Sequence, residues 1–176
     1  STGFGKSEIT IHASAEEVLA FMWQFDSRER RKATDLEKSI IEEKSPHHIV
    51  TYIARKSSHV GFIKLAPREG LNSFLWKQLN VNSFLMVANT AVHPFRPVVP
   101  ERVRAELPFV AKIDVLSSSR CRLTYYVSLS IGGVMPDVLR NFYLANFLRT
   151  SENAQQYFQK LRPLNLLDAR DGEALA

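Results

Sequence analysis

Residues 121–131, CRLTYYVSLSI, alternate apolar and polar side chains, and the alternation stops on Gly132-Gly133. A period of two is a strand with one buried face. Leu123, Tyr125, Val127, Leu129 and Ile131 make that face, and Arg122, Thr124, Ser128 and Ser130 lie mostly opposite. A proline follows at 136, and the apolar residues then recur every three or four positions to about residue 161, the signature of an amphipathic helix. Pro136 suits a first helical turn, and Asp137 suits the positive end of the helix dipole. At about 1.5 Å per residue such a helix is roughly 39 Å long, enough to cross a whole sheet. Its stripe reads Tyr143, Phe147, Ser151, Ala154, Phe158, Leu161, with Thr150 beside it: bulky at both ends, small at the centre. Either a bulky sheet residue fills the gap, or the helix closes over an occupied hollow.

The residues upstream supply the sheet. Residues 7–13, SEITIHA, alternate as a strand, and Ser14 with Glu17 forms a capping box that opens a helix running to about Gln24. The polar stretch 26–35 is a short second helix or a loop. Residues 36–43 and 48–56 pair as a hairpin across Ser45-Pro46-His47, and 57–67 read as a long loop. Residues 70–79 and 83–92 make a second hairpin. Residues 93–101 hold three prolines and are an extended loop. Residues 102–116 and 121–131 make a third hairpin, and the long helix ends before Pro163. Three successive hairpins imply an antiparallel meander, not parallel crossover units. The expected fold class is therefore α+β: a curved antiparallel sheet wrapped around a long C-terminal helix, either packed solid between them or enclosing an internal apolar cavity.

The chain has 176 residues, enough for one domain with a real core. A net charge of +5 suits an anionic membrane surface but is too diffuse to imply nucleic acid. Cys121 is alone, so no disulfide framework is available, and a reducing, cytoplasmic setting is the default. No run approaches 18 apolar residues, the length that would mark a membrane span.

Catalytic constellations are missing from the sequence. His47 and His48 are adjacent in a turn and diverge; His12, His59 and His93 have no ligand spacing, so no metal site is expected. No phosphate-binding glycine loop or nucleophile elbow occurs, no catalytic residue is assigned, and no cofactor is implied. Cys121 reads as a small buried hydrophobe. Arg28, Arg30, Arg31 and Lys32 are interleaved with acids and read first as a solvated face, with a contact to anionic lipid head groups as the sharper alternative. Trp76 reads as core before membrane-interface anchor. Arg104 either faces solvent opposite Val103 or is a buried cation partnered by Glu106 or Asp114.

The pieces VRAELPFVAKIDVL and RLTYYVSLSIGGVMPDVLRN resemble the end of a START domain, the steroidogenic acute regulatory protein-related lipid transfer family of the helix-grip superfamily. The matching residues are Val103-Arg104-Ala105-Glu106, Tyr125, Gly133, Met135-Pro136 and Asn141. HPFRP resembles the family's proline loop, APRE at 66–69 its PRD step, and IHASAEEVLAFM the strand-to-helix step shared across the wider helix-grip superfamily. The likeness spans roughly residues 7–162. It implies one START-like lipid-binding domain over 1–162, without the family's N-terminal helix and first two strands, and a C-terminal tail over 163–176. The expectation that follows is a physiological chain with residues before Ser1, or an edge at SEITIHA covered by a partner.

The resemblance further implies non-catalytic binding, and transfer, of a hydrophobic ligand gripped between sheet and helix, with the helix and nearby loops as gate and a transient membrane contact at release. Enclosing about 300 Å² of apolar ligand surface is worth roughly 7 kcal/mol without any catalytic group. The residues expected to line the hollow are Phe74, Met86, Asn89, Thr90, Tyr125, Val127 and Leu129 from the sheet, and Tyr143, Phe147, Ser151, Ala154 and Phe158 from the helix. Phe74 falls where sterol carriers of the family place a basic residue, which points to a neutral lipid such as a sterol or diacylglycerol and not to an anionic phospholipid, with Asn89, Thr90 or Tyr125 as hydrogen-bonding groups. The alternatives are a polyketide cyclase or aromatase of the same superfamily and a lipid-sensing regulatory module of a longer signalling protein.

Overall fold

A computed structural model of the chain describes residues 2–130 and 137–173, with the side chains of residues 60 and 162–173 outside the description. The chain runs β1 (Gly3–Ile11), α1 (Ala15–Trp23), a single 3-10 turn (Arg28–Arg30), β2 (Asp35–Ser45), β3 (His48–Arg55), β4 (Ser58–Val60), β5 (Ile63–Leu65), β6 (Arg68–Asn80), β7 (Ser83–Thr90), β8 (Val103–Arg104), β9 (Phe109–Ser117), β10 (Arg120–Leu129) and α2 (Asp137–Glu173). The main sheet has the order β1-β10-β9-β7-β6-β3-β2, antiparallel throughout, and β8 alone joins it in parallel, beside β6. The three predicted hairpins are β2–β3, β6–β7 and β9–β10.

Both helices cover one face, called here the inner face. The Ser14 hydroxyl accepts from the Glu17 N–H at 3.2 Å and the Glu17 carboxylate accepts from the Ser14 N–H at 2.7 Å, so the predicted capping box opens α1. α1 buries Val18, Leu19 and Met22 and packs on β7, β9 and β10. α2 lies along β1 and β10. The inner positions of β1 are small at the crossing. A Cβ on Gly5 would stand 2.8 Å from Cδ1 of Leu148, and the Ser7 hydroxyl sits 2.9 Å from that of Ser151. Glycine at position 5 is thus what lets helix and strand approach so closely.

Several local expectations change. Residues 57–67 are not a loop: β4 and β5 pair as a small hairpin, turned at Gly61 with φ +59°, a backbone that glycine adopts without a Cβ penalty. The strand expected over 102–116 is split into β8 and β9 around Pro108, which has no N–H to give to a ladder. β1 starts at Gly3, four residues earlier than the alternation suggests. α2 does not end before Pro163 but continues to Glu173, so most of the expected tail is helical. A proline keeps a helical φ and deletes one backbone hydrogen bond, and the residues after it carry no second breaker until Gly172. Gly132-Gly133, Ile131 and Pro136 lie outside the described residues.

The outer face carries its own small core of Val50, Tyr52, Ala54 and Leu71 under the segment leading to β8. Glu69, 2% exposed, stands there as a buried carboxylate among cations. Arg104 pairs with it at 2.7 Å, Tyr52 donates its hydroxyl to it at 2.7 Å, and Arg102 donates to the Tyr52 oxygen at 2.7 Å. Arg104 is therefore a partnered cation, and its partner is Glu69, not Glu106 or Asp114, because β8 docks in parallel beside β6. An open groove of about 640 Å³ also lies on this face, where Phe4, Lys6, Val87, Val110 and Tyr126 meet across four strands.

Candidate functional site: the inner face of the sheet

Register fixes which side chains meet under the helices. Phe74 of β6 faces Ala88 of β7, Ala88 faces Phe109 of β9, and Phe109 faces Val127 of β10. One row along, Met86, Ala111 and Tyr125 are aligned in the same way. All seven are buried. Their rings form a chain with Phe25 from the end of α1: Phe25–Phe74 at 5.4 Å, Phe74–Phe109 at 5.3 Å and Phe109–Tyr125 at 5.1 Å between centroids. Edge-to-face geometry in the first two contacts suits the ring quadrupoles. Four of the residues expected from the sequence, Phe74, Met86, Tyr125 and Val127, are thus one contiguous surface, and Leu129 continues it at 1% exposed.

Other expectations fail for reasons of face and end. Asn89 pairs with Ser73 on the outer face and is exposed, its side-chain oxygen taken by the Thr90 N–H at 2.9 Å. Thr90 stands on the inner row of Asn72 but is the last residue of β7 and is exposed. Ser151 does not face a hollow: its hydroxyl is spent on Ser7 and on the Leu148 carbonyl, at 2.9 Å each. Ala154, fully buried, lies in one core cluster with Phe74, Met86, Tyr125 and Val127. The small middle of α2 is the close seam with β1, a third answer beside the two drawn from the sequence. Phe158 packs on Phe21 of α1 at 5.8 Å, tying the two helices together. Phe147 lies under the Arg55 guanidinium at 5.7 Å, and the Tyr143 hydroxyl meets that of Ser58 at 2.7 Å, joining α2 to the β4–β5 hairpin. Trp76 is half-buried, edge-on to Trp23, with its indole N–H donated to the Pro46 carbonyl.

The half of the inner face made by β2, β3 and β6 is polar. Asp35, Arg55 and Arg68 share one register row, Lys38, Ile53 and Gly70 the next, and Ile40, Thr51 and Asn72 the third. Arg55 is paired with Asp35 at 3.2 Å. Lys38, 8% exposed, donates to the Arg30 carbonyl at 2.6 Å and lies 4.8 Å from the Phe25 ring centre. Burial, and then the charge of Arg30, push its ammonium down to about 8, with Asp35 pulling the other way. Arg30 itself turns inward and caps the last carbonyls of α1, Met22 and Phe21, a helix end that favours a cation. Burial brings it down to about 10, with Tyr125 opposing. The solvated-face reading holds for Arg28, Arg31 and Lys32 but not for Arg30. Burial also pushes the Tyr125 hydroxyl well above the usual phenol range, and the Cys121 thiol up to about 11. Cys121 is inert packing in β10.

The sequence missed Phe25, Phe109, Lys38, Arg55, Arg68 and Asn72. Phe109 was legible in the alternation of FVAKIDV once Pro108 is taken as the break. The polar half was not, because it depends on which strands become neighbours. Among the described residues no cluster of three or more metal-ligating side chains occurs. The one Ser–His contact, Ser73 with His48 at 2.7 Å, is on the outer face and has no third group hydrogen-bonded to the imidazole among the described residues.

No family model and no curated protein sequence matches the chain. Solved structures do match it. Human STARD10 superposes with a TM-score of 0.75 at 15% identity, over 96% of this chain and 68% of that one. Human StAR-related lipid transfer protein 5 gives 0.73 at 18%, over 90% and 76%. The Zhui aromatase/cyclase of a Streptomyces species gives 0.61 at 11%, over 92% and 96%. The fold is that of START domains, the helix-grip α+β architecture; at these identities the likeness is one of fold.

Proposed function

We propose that the protein encloses a hydrophobic ligand, a lipid, between its sheet and α2, and moves it by exchange, with no bond made or broken. The observation that carries this reading is the pair of buried apolar rows Phe74–Ala88–Phe109–Val127 and Met86–Ala111–Tyr125, which meet on the face the helices cover. The START fold, shared with proteins whose names describe lipid transfer, supports it. The inward Phe74 supports an apolar body for the ligand, while the cations on the β2–β3–β6 rows leave the charge of its end open. Lipid is the partner, and the membrane contact at release is transient. Phe62, fully exposed, and Ile63 lie at the tip of the β4–β5 hairpin, whose base is held to α2 by Ser58 and Tyr143. Such a tip suits insertion between head groups while the hydroxyl contact opens. The lone, unreactive Cys121 accords with a reducing, cytoplasmic setting.

Native mass spectrometry of the purified protein, followed by transfer of fluorescent lipid between two vesicle populations, tests this. A co-purified lipid and protein-dependent transfer are expected. An empty protein that extracts and transfers no lipid overturns it.

The second reading is a cyclase-type enzyme, favoured by the buried Tyr125, a phenol held protonated and so able to donate a hydrogen bond to a reacting carbonyl. Loss of a measured turnover in Tyr125→Phe with lipid uptake retained would favour it.

A further inference from the structure

We propose that the polar half of the inner face is a subsite for an oxyanion, the carboxylate or phosphate group of an acidic lipid, held by Lys38 and Arg68 with Asn72 beside them. The inference rests on the enclosed-lipid reading above and adds what the end of that lipid must be.

Three observations converge on this patch. First, its charges do not balance. Asp35 is the one carboxylate on these register rows and is engaged by Arg55, while neither Lys38 nor Arg68 forms an ion pair with any described residue. Lys38, 8% exposed, is a cation held from water without a counter-ion, which a ligand anion relieves, and Arg68, half-buried, adds a second positive charge to the patch. Carbonyl oxygens at Lys38 and Arg68 satisfy hydrogen bonds without cancelling charge.

Second, the patch holds unused hydrogen-bonding atoms. Arg68 Nε and Asn72 Oδ1 are buried side-chain atoms with no partner among the described residues, two positions to either side of Gly70 on the inner face of β6. Asn72 is only 6% exposed. Such orphans are rare in native interiors and call for a missing partner. Arg68 Nε offers an N–H, and a half-turn of the Asn72 amide offers another donor in place of its oxygen.

Third, the patch borders the gate. Phe147 and Tyr143 of α2 wall it through Arg55 and Ser58, and Thr90, exposed on the inner row of Asn72, marks where that face meets solvent. A lipid lying with its hydrocarbon on the Phe74–Phe109–Tyr125 surface would bring its charged end here.

The test is extraction from phosphatidylcholine vesicles doped in turn with phosphatidic acid, with oleic acid, or with the uncharged diacylglycerol and oleyl alcohol of matching chains. Wild-type protein should take up at least one acid about tenfold or more over its uncharged counterpart, and the two acids separate phosphate from carboxylate. In Arg68→Gln and Lys38→Gln, each checked for folding by thermal unfolding, that ratio should fall toward one. Equal uptake of acid and uncharged lipid by the wild type, or a ratio untouched in folded Arg68→Gln, overturns the subsite and leaves the carrier reading standing. Uptake of none of the four removes the carrier reading itself. Inorganic phosphate added as competitor should not displace the lipid, since it gains nothing from the apolar half; full displacement would make the site a plain anion pocket and reject a lipid end group.

Discussion

The hydroxyl of Ser7 on β1 lies 2.9 Å from the hydroxyl of Ser151 on α2, with Gly5 and Leu148 in contact range one step away. This is the seam along which the long helix is fixed to the sheet. Small residues on both sides allow the approach, so volume added here has nowhere to go. Ala154→Trp, which would fill a vacant hollow harmlessly, should instead destabilise the fold by about 1–3 kcal/mol or more. Gly5→Val should act likewise, and Gly5→Ala, whose Cβ would stand 2.8 Å from Cδ1 and 3.3 Å from Cγ of Leu148, should destabilise in the same direction by less. Urea unfolding of the three variants ranks them; a fully stable Ala154→Trp would contradict the seam.

Tyr143 and Ser58 form the polar contact between α2 and the β4–β5 hairpin. Tyr143→Phe removes one hydroxyl and little packing, so stability should change by about 1 kcal/mol or less. The rate of lipid exchange should rise. Stopped-flow release of a fluorescent lipid decides it, and a slower or unchanged rate counts against a gate at this contact.

Glu69 is the only acid paired with Arg104 and Arg102 among the described residues, and it accepts from Tyr52. Removing one partner of a buried ion pair typically costs about 3–5 kcal/mol, because the other charge stays behind. Glu69→Gln should therefore approach that loss, whereas Glu37→Gln, at a partly exposed pair with Arg96, should stay below about 1 kcal/mol. Comparable small losses in both would show that the cluster is not a closed network.

Lys38 has a folded-state value of about 8 against an ordinary 10.5. Below about 8 the group is charged in both states and its burial opposes folding in full. Between about 8 and 10.5 the folded protein has shed the proton and the unfolded chain keeps it, so stability rises with pH. The groups facing it are Arg30, Arg55, Lys32 and Asp35. Lys32 shifts in the same direction, and Arg30 adds a rise only above about 10. In ligand-free protein, Lys38→Met should flatten most of the rise above pH 8. A wild type whose stability falls or stays level across this window refutes the assignment.

Phe62 should matter for membranes and not for the fold, since its ring touches solvent on all sides. Phe62→Asp is expected to keep the unfolding midpoint and to weaken vesicle binding and transfer several-fold. Undiminished transfer would move the membrane contact elsewhere.

Periodicity in the sequence determined the elements. The alternation of residues 121–131 specified β10 and its buried face, Ser14 and Glu17 specified the start of α1, and the three-and-four spacing after Pro136 specified α2, because each is a repeat carried within one segment. Hairpin order then limited the sheet to an antiparallel meander, and the helix-grip class followed from the resemblance of its last strands and helix to START domains. Only the tertiary structure decided what the segments face. Ser151 and Ala154 looked like a lid over space until β1 brought Gly5 and Ser7 against them. Arg104 met Glu69 only because β8, two residues long, docks in parallel beside β6. Asn89 left the site because a strand position one residue off the inner row points the other way. Lys38, Arg68 and Asn72 are far apart along the chain or unremarkable within it; the pairing of β2, β3 and β6 places them on adjoining rows. A period is local and survives in a string of letters. A charge without a partner, or a hydroxyl with one, is a relation between segments, and exists only once the chain has folded.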